Sequence, residues 1–150
     1  MAGDAREIEN LLYRYAERID LGDLEGVADL FAHGRVSASP DAPKSQVAEG
    51  REQVLTMYRN STRLYDDGTP HTKHVTTNAI IEVDSPGERA SARSYYTVLQ
   101  QVDDLPLQPI ISGRYHDSFR RVDGCWRFDT RVILVDLVGN LGSHLLFELG

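Results

Sequence analysis

Cysteine is nearly absent. Cys125 is the single one in 150 residues, so no disulfide can form within the chain. Between the Asp123-Gly124 turn and Trp126 it reads as a small apolar packing residue, because free cysteines are usually buried and inert there. No apolar run approaches the roughly 18 residues that a membrane span needs. The opening Met1-Ala2-Gly3-Asp4 lacks a basic-then-apolar leader, and the expectation is a soluble cytoplasmic protein with no membrane contact. Positive charge is also scarce: 16 Lys and Arg face 23 Asp and Glu, for a net charge of -7 and a pI near 5.1. A nucleic-acid partner would demand a clustered basic face. Glycine-rich phosphate loops, dinucleotide fingerprints, Gly-x-Ser-x-Gly elbows and Cys-x-x-Cys pairs are missing, which removes nucleotide-driven and covalent-hydrolase mechanisms. No cofactor is implied.

What is present suits one globular domain over residues 1–150, with 41% hydrophobic and 26% charged residues. Ile8, Leu11, Leu12, Tyr15 and Ile19 recur at helical spacing, predicting a helix over 5–20 with Asp4 as N-cap and Glu7 closing a capping box. Gly22 and Asp23 break it, and Asp23 caps a short second helix through Phe31. Strands are expected at Arg35–Ser39 and Ser45–Glu49. A third helix opens at Gly50-Arg51-Glu52 and runs to Leu64. From His71 the period changes to alternation, with Val75, Thr77, Ala79, Ile81 and Val83 on one face and His74, Thr76, Asn78, Ile80 and Glu82 on the other. Hairpin turns at Ser85–Glu88 and Asp123-Gly124 and a loop at Asp103–Pro106 separate three further long strands. A tail follows from Gly139. Helices first and hairpin-linked strands afterwards argue an α+β fold, with helices packed on an antiparallel sheet. Strands this long must twist and bend, which lets the sheet curl around a cavity.

Three motifs in this order resemble the SnoaL-like branch of the nuclear transport factor 2-like superfamily, over nearly the whole chain. They are Ile8–Tyr15 running into Ile19-Asp20-Leu21-Gly22-Asp23 and Leu30-Phe31, then Gly50-Arg51-Glu52, then Tyr115–Phe119 followed by Asp123–Phe128. The resemblance implies a cone-shaped α+β barrel and an oligomer, dimer or trimer. It implies no one activity, since that superfamily holds ketosteroid isomerases, dehydratases, a dehydrochlorinase, polyketide cyclases and non-catalytic subunits of ring-hydroxylating dioxygenases.

Within that resemblance, Asp20 matches an aspartate that pairs with a histidine on the strand after the third helix, and His74 occupies the matching place. A carboxylate that fixes one imidazole tautomer leaves the other ring nitrogen free to take a proton from carbon. Arg131 looks like the arginine that helps stabilise a departing anion in the dehydrochlorinase, and a guanidinium suits that work because it stays charged. On its strand it is expected to share a face with Arg127, Asp129, Ile133 and Val135. Tyr15 stands where the dehydrochlorinase has a lysine, which turns the reading from haloalkane elimination toward dehydration or isomerisation, with the phenol donating to an oxygen. Tyr115, His116, Tyr95 and Trp126 are expected to line an apolar pocket. His71 and His74 do not make a metal site, since an offset of three on a strand puts them on opposite faces and no third ligand is apparent. His144 lies in a tail resembling the family's segment over the pocket mouth or at a subunit contact. The reading is a cofactor-independent lyase or isomerase for a hydrophobic, cyclic small molecule. Its alternatives are a non-catalytic ligand-binding or assembly module and a polyketide cyclase.

Overall fold

The computed structural model describes residues 2–147. Helix α1 (Ala2–Asp20) buries Ile8, Leu11, Leu12, Tyr15 and Ile19, the stripe that its sequence spacing lays along one face. It starts before Asp4, so Asp4 is not a cap and there is no capping box. Its carboxylate instead accepts from Arg121 Nη2 (2.5 Å) and Trp126 Nε1 (3.2 Å), tying the helix to the far hairpin. The helix ends in a Schellman turn, with Asp23 N donating to Arg18 O and Gly22 N to Ile19 O. Gly22 has φ +75°, and a Cβ there would lie 1.8 Å from Gly68 O, so the turn requires glycine. This fixed stop places Asp20 in the last turn with its side chain toward the sheet. Asp23 then caps α2 (Leu24–Asp29) by accepting from Gly26 N, as its position in the sequence predicts.

Strand β1 (Arg35–Ser37) and the two-residue β2 (Ala48–Glu49) are shorter than expected, with a 3₁₀ turn over Lys44–Gln46 between them. Helix α3 (Gly50–Ser61) stops before Leu64, because Thr62 leaves it to bridge Leu145 in the tail. The long strands are β3 (Thr72–Val83), β4 (Arg89–Val102), β5 (Leu105–Val122) and β6 (Cys125–Val138). Beginning at Leu105, β5 shrinks the expected loop after β4 to a tight turn at Asp103-Asp104. The sheet order is β2-β1-β6-β5-β4-β3. It is mixed, not purely antiparallel, because β1 runs parallel to β6. Gly34 permits that entry: a Cβ on it would meet Phe128 O at 2.5 Å. The sheet does not close into a barrel. Its helix-covered face packs Phe31 on Phe128 (ring centroids 4.7 Å apart), with Phe119 alongside.

Bulges bend this sheet and reset its faces. In β3 the register shifts between Thr77 and Ile80, where Asn78 takes φ 56°. The uniform alternation expected there is therefore broken. His74 and Thr76 are half-buried while Val75 and Thr77 are exposed, yet beyond the bulge Ala79, Ile81 and Val83 point inward. A second shift, between Ser118 and Phe119, does the same to β6. Trp126 and Phe128 are inward before it and Arg131 after it, so Arg131 does not share a face with Arg127 and Asp129. Cys125 is exposed rather than packed, because Trp126 takes the inward position beside it.

Candidate active site

The last turn of α1 meets the first residues of β3. Asp20 Oδ1 lies 2.7 Å from His74 Nδ1 and accepts from Thr72 Oγ1 at 2.9 Å, while Oδ2 accepts from the His74 backbone N–H at 2.8 Å. Three donors from one strand start hold the carboxylate. Carboxylate and ring are only 16% and 7% exposed, so water competes little for the pair. With Nδ1–H donated to Asp20, the tautomer with a free Nε2 lone pair is favoured.

The His74 ring opens into a cavity of about 310 Å³ between the helices and the concave sheet, walled chiefly by aliphatic side chains such as Ile19, Val98 and Ile133. Its polar groups are His74 and His144, the hydroxyls of Tyr15, Tyr58, Tyr96 and Tyr115, and Ser37, Gln46, Ser61 and Thr62. Asp20 stands behind His74 and faces an outer groove shared with Thr72 and Lys73. Two wider depressions, of about 490 and 540 Å³, flank the 3₁₀ turn; neither contains a histidine, and we place no chemistry there.

Tyr15 and Tyr58 hydroxyls are hydrogen-bonded to each other. Burial raises both phenols above their ordinary pKa, so both stay protonated. One hydroxyl donates to the other, which leaves one O–H for a ligand oxygen. Tyr96, pushed up to about 12 by burial, donates to Leu134 O at 3.0 Å.

Arg131 is placed otherwise than expected. It is fully buried, and its Nε and Nη2 grip both Asp117 oxygens at 2.8 and 2.9 Å. Burial opposes the cation, but the Asp117 carboxylate more than offsets this and raises its pKa. Its guanidinium carbon lies 3.6 Å from the Tyr115 ring centroid and 4.2 Å from that of Tyr15. It does not line the cavity; the tyrosine rings do, and it supports them from behind.

Of the four residues expected in the pocket wall, only Tyr115 is there. Tyr95 is 52% exposed, on the outer face, because its neighbour Tyr96 takes the inner one. His116 is exposed by the same alternation beside Tyr115. Trp126 is buried at the opposite end, against Asp4 and Arg121. His71 turns away from His74 to bond Asp67. Tyr58 and His144 were not assigned to the site by sequence. Tyr58 is hidden in the apolar stripe of α3, where only its polar tip distinguishes it from Val54 and Leu55.

His144 belongs to the tail, which crosses the cavity and is bonded on by Arg63 N to His144 O (2.8 Å) and Leu146 N to Ser61 O (3.0 Å). Residues 148–150 of that tail lie outside the described residues. Its ring is 5.9 Å from that of His74, nearly edge-on. Burial, aided by the charge of His74, lowers its pKa from 6.5 to about 4. An unfolded chain therefore binds a proton here that the native state refuses between pH 6.5 and 4. Stability from this group is full above pH 6.5 and is lost as pH falls toward 4, on the order of 3 kcal/mol. Urea unfolding from pH 7 to 4 should show this slope, and His144→Phe should flatten it. An unchanged slope would assign it to another group.

The cavity between a helical layer and a curved open sheet, with His74 on its wall and Asp20 behind it, defines a cone-shaped α+β pocket protein. The family model for the SnoaL-like domain matches residues 1–132, and the chain belongs to that family. Similar structures share the fold. A cystatin-fold protein of unknown function from Nostoc punctiforme is 26% identical over 94% of this chain and 97% of its own (TM-score 0.73). A scytalone dehydratase candidate from Novosphingobium aromaticivorans is 23% identical over 95% and 98% (TM-score 0.70). ActVI-ORFA from Streptomyces coelicolor is 21% identical over 89% and 98% (TM-score 0.69). The fold is consistent with small-molecule isomerase, dehydratase or cyclase activity. Among the described residues no helix is long and apolar enough to cross a membrane.

Proposed function

We propose that this protein is a cofactor-independent lyase or isomerase that removes a proton from carbon in a hydrophobic cyclic substrate. The observation that carries this reading is the 2.7 Å Asp20–His74 contact, with the imidazole opening into an apolar cavity. His74 Nε2 takes a proton from a carbon next to a carbonyl or a leaving group. Asp20 then faces the imidazolium it helped to create. The electron pair released on carbon moves to the carbonyl oxygen or expels the leaving oxygen, and the free O–H of the Tyr15–Tyr58 pair stabilises the charge there. Arg131, behind the Tyr15 ring, favours negative charge at that phenol. Coupling of His74 to Asp20 weighs against a cyclase that uses aspartate alone. Access of His74 to the cavity weighs against a purely non-catalytic module. We further propose a cytoplasmic homo-oligomer whose second copy covers Val75, Tyr95 and Leu137, exposed apolar residues on the outer sheet face.

The test is carbon-acid exchange. A panel of cyclic ketones and β-hydroxy ketones is incubated with the protein in D2O and followed by NMR. Wild type is expected to put deuterium beside the carbonyl or to release water, and His74→Gln to fall to the buffer rate. Exchange that persists in His74→Gln would remove His74 from this role. Ketones that bind without exchanging would make the protein the binding module instead.

A further inference from the structure

The C-terminal strap holds His144 in a position that its anchoring does not require. The strap is fastened by backbone groups: the bonds to Arg63 and Ser61, and Ser143 O accepting from Tyr65 Oη and Gln100 Nε2. None of these uses the imidazole, so a leucine would close the cavity as well. Yet His144 is 7% exposed, lines the cavity beside His74, and its Nδ1 is buried with no hydrogen-bond partner among the described residues. A buried polar atom left unpaired costs stability, and such exceptions in native proteins point to a missing partner or a functional role.

We propose that His144 is a specificity-determining contact for a second oxygen substituent of the substrate, so that the substrate class is a cyclic ketone bearing a further hydroxyl or carbonyl oxygen. This rests on the reading of the cavity as the substrate site. Two of the cavity's polar groupings divide the work. The Tyr15–Tyr58 pair, on α1 and α3, meets the oxygen at the reacting centre. His144, on the strap, meets the other. A neutral imidazole has one N–H and one lone pair, so it pairs with a hydroxyl or a carbonyl. Its lowered pKa supports this, because a neutral ring adds no charge to repel the imidazolium that forms on His74. A site built to hydrogen-bond an oxygen also rejects analogues lacking it, since the buried group is then left unpaired.

The probes are 1-tetralone and its 5-, 6- and 7-hydroxy derivatives, with binding measured calorimetrically. Wild type is expected to bind at least one hydroxytetralone about tenfold more tightly than 1-tetralone, the effect of one good buried hydrogen bond. In His144→Phe that preference should vanish while affinity for 1-tetralone is kept, and His144→Gln should restore part of it. In wild-type protein the ¹⁵N resonances of the His144 ring should move with the preferred hydroxytetralone and not with 1-tetralone. A preference that survives in His144→Phe, or imidazole resonances that do not respond, would overturn the assignment. Binding needs no turnover, so the two readings fail separately. His74→Gln should lose exchange yet keep the hydroxytetralone preference. If no tetralone binds any form of the protein, the assignment of His144 falls, and the exchange assay on the wider ketone panel judges the reading of the cavity separately.

Discussion

Asp20→Asn is expected to lower turnover by about 10²–10⁴-fold while leaving the fold intact. The size of the effect follows from which hydrogen bonds can reverse. The His74 backbone N–H is a fixed donor, now satisfied by Oδ2, so the asparagine oxygen must take that place. The amide NH₂ then falls where Oδ1 stood, facing Thr72 Oγ1 and His74 Nδ1. The Thr72 hydroxyl can turn and accept. Nδ1 can accept only by giving up its proton, which moves to Nε2 and occupies the lone pair assigned to the substrate. The variant therefore holds the imidazole in nearly the same place in the wrong tautomer. Two measurements check this: exchange rate, which should fall, and the urea midpoint, which should barely move. Full turnover would show that the carboxylate does not set the tautomer.

Asp117→Ala has the larger expected effect on stability, a loss of about 3–5 kcal/mol, because it strands the buried Arg131 cation. Nη1 of Arg131 already has no partner among the described residues, so Asp117 supplies the strong hydrogen bonds that this guanidinium has. Stacking on Tyr15, Tyr115 and Phe128 supplements the pair and does not replace it. The double change Asp117→Leu/Arg131→Met should cost less than Asp117→Ala alone, since no charge remains buried. Urea denaturation with constant m-values reads both. A single-variant loss below about 1 kcal/mol would mean that water reaches the guanidinium. Tyr15 and Tyr115 rest on Arg131, so the variant should also loosen the cavity wall.

Much of the site was legible because its parts lie next to strong local signals. Asp20 precedes the Gly22-Asp23 break and His74 follows the Pro70 turn, so one falls at a helix end and the other at a strand start. Their 2.7 Å meeting matches the pairing that the family resemblance implied. Trp126 faces inward but lies at the far end of the sheet, a distance that no local pattern carries. Arg131, Tyr95 and His116 were misplaced for a different reason. Face assignment by counting in twos holds only while no residue is inserted, and for residues adjacent in a strand it says that they diverge but not which one faces in. Tyr96 and Tyr115 took the inner positions from Tyr95 and His116.

The sequence alone determined the element order, the helix stripe on α1, the glycine stop after Asp20 and the hairpins, since each depends on residues a few positions apart. The tertiary structure alone decided the bulges at Asn78 and at Ser118/Phe119, the parallel entry of β1 beside β6, the burial of Arg131 against Asp117, and the arrival of His144 beside His74. Those outcomes are settled by how distant segments compete for one concave face, and no local pattern carries that competition.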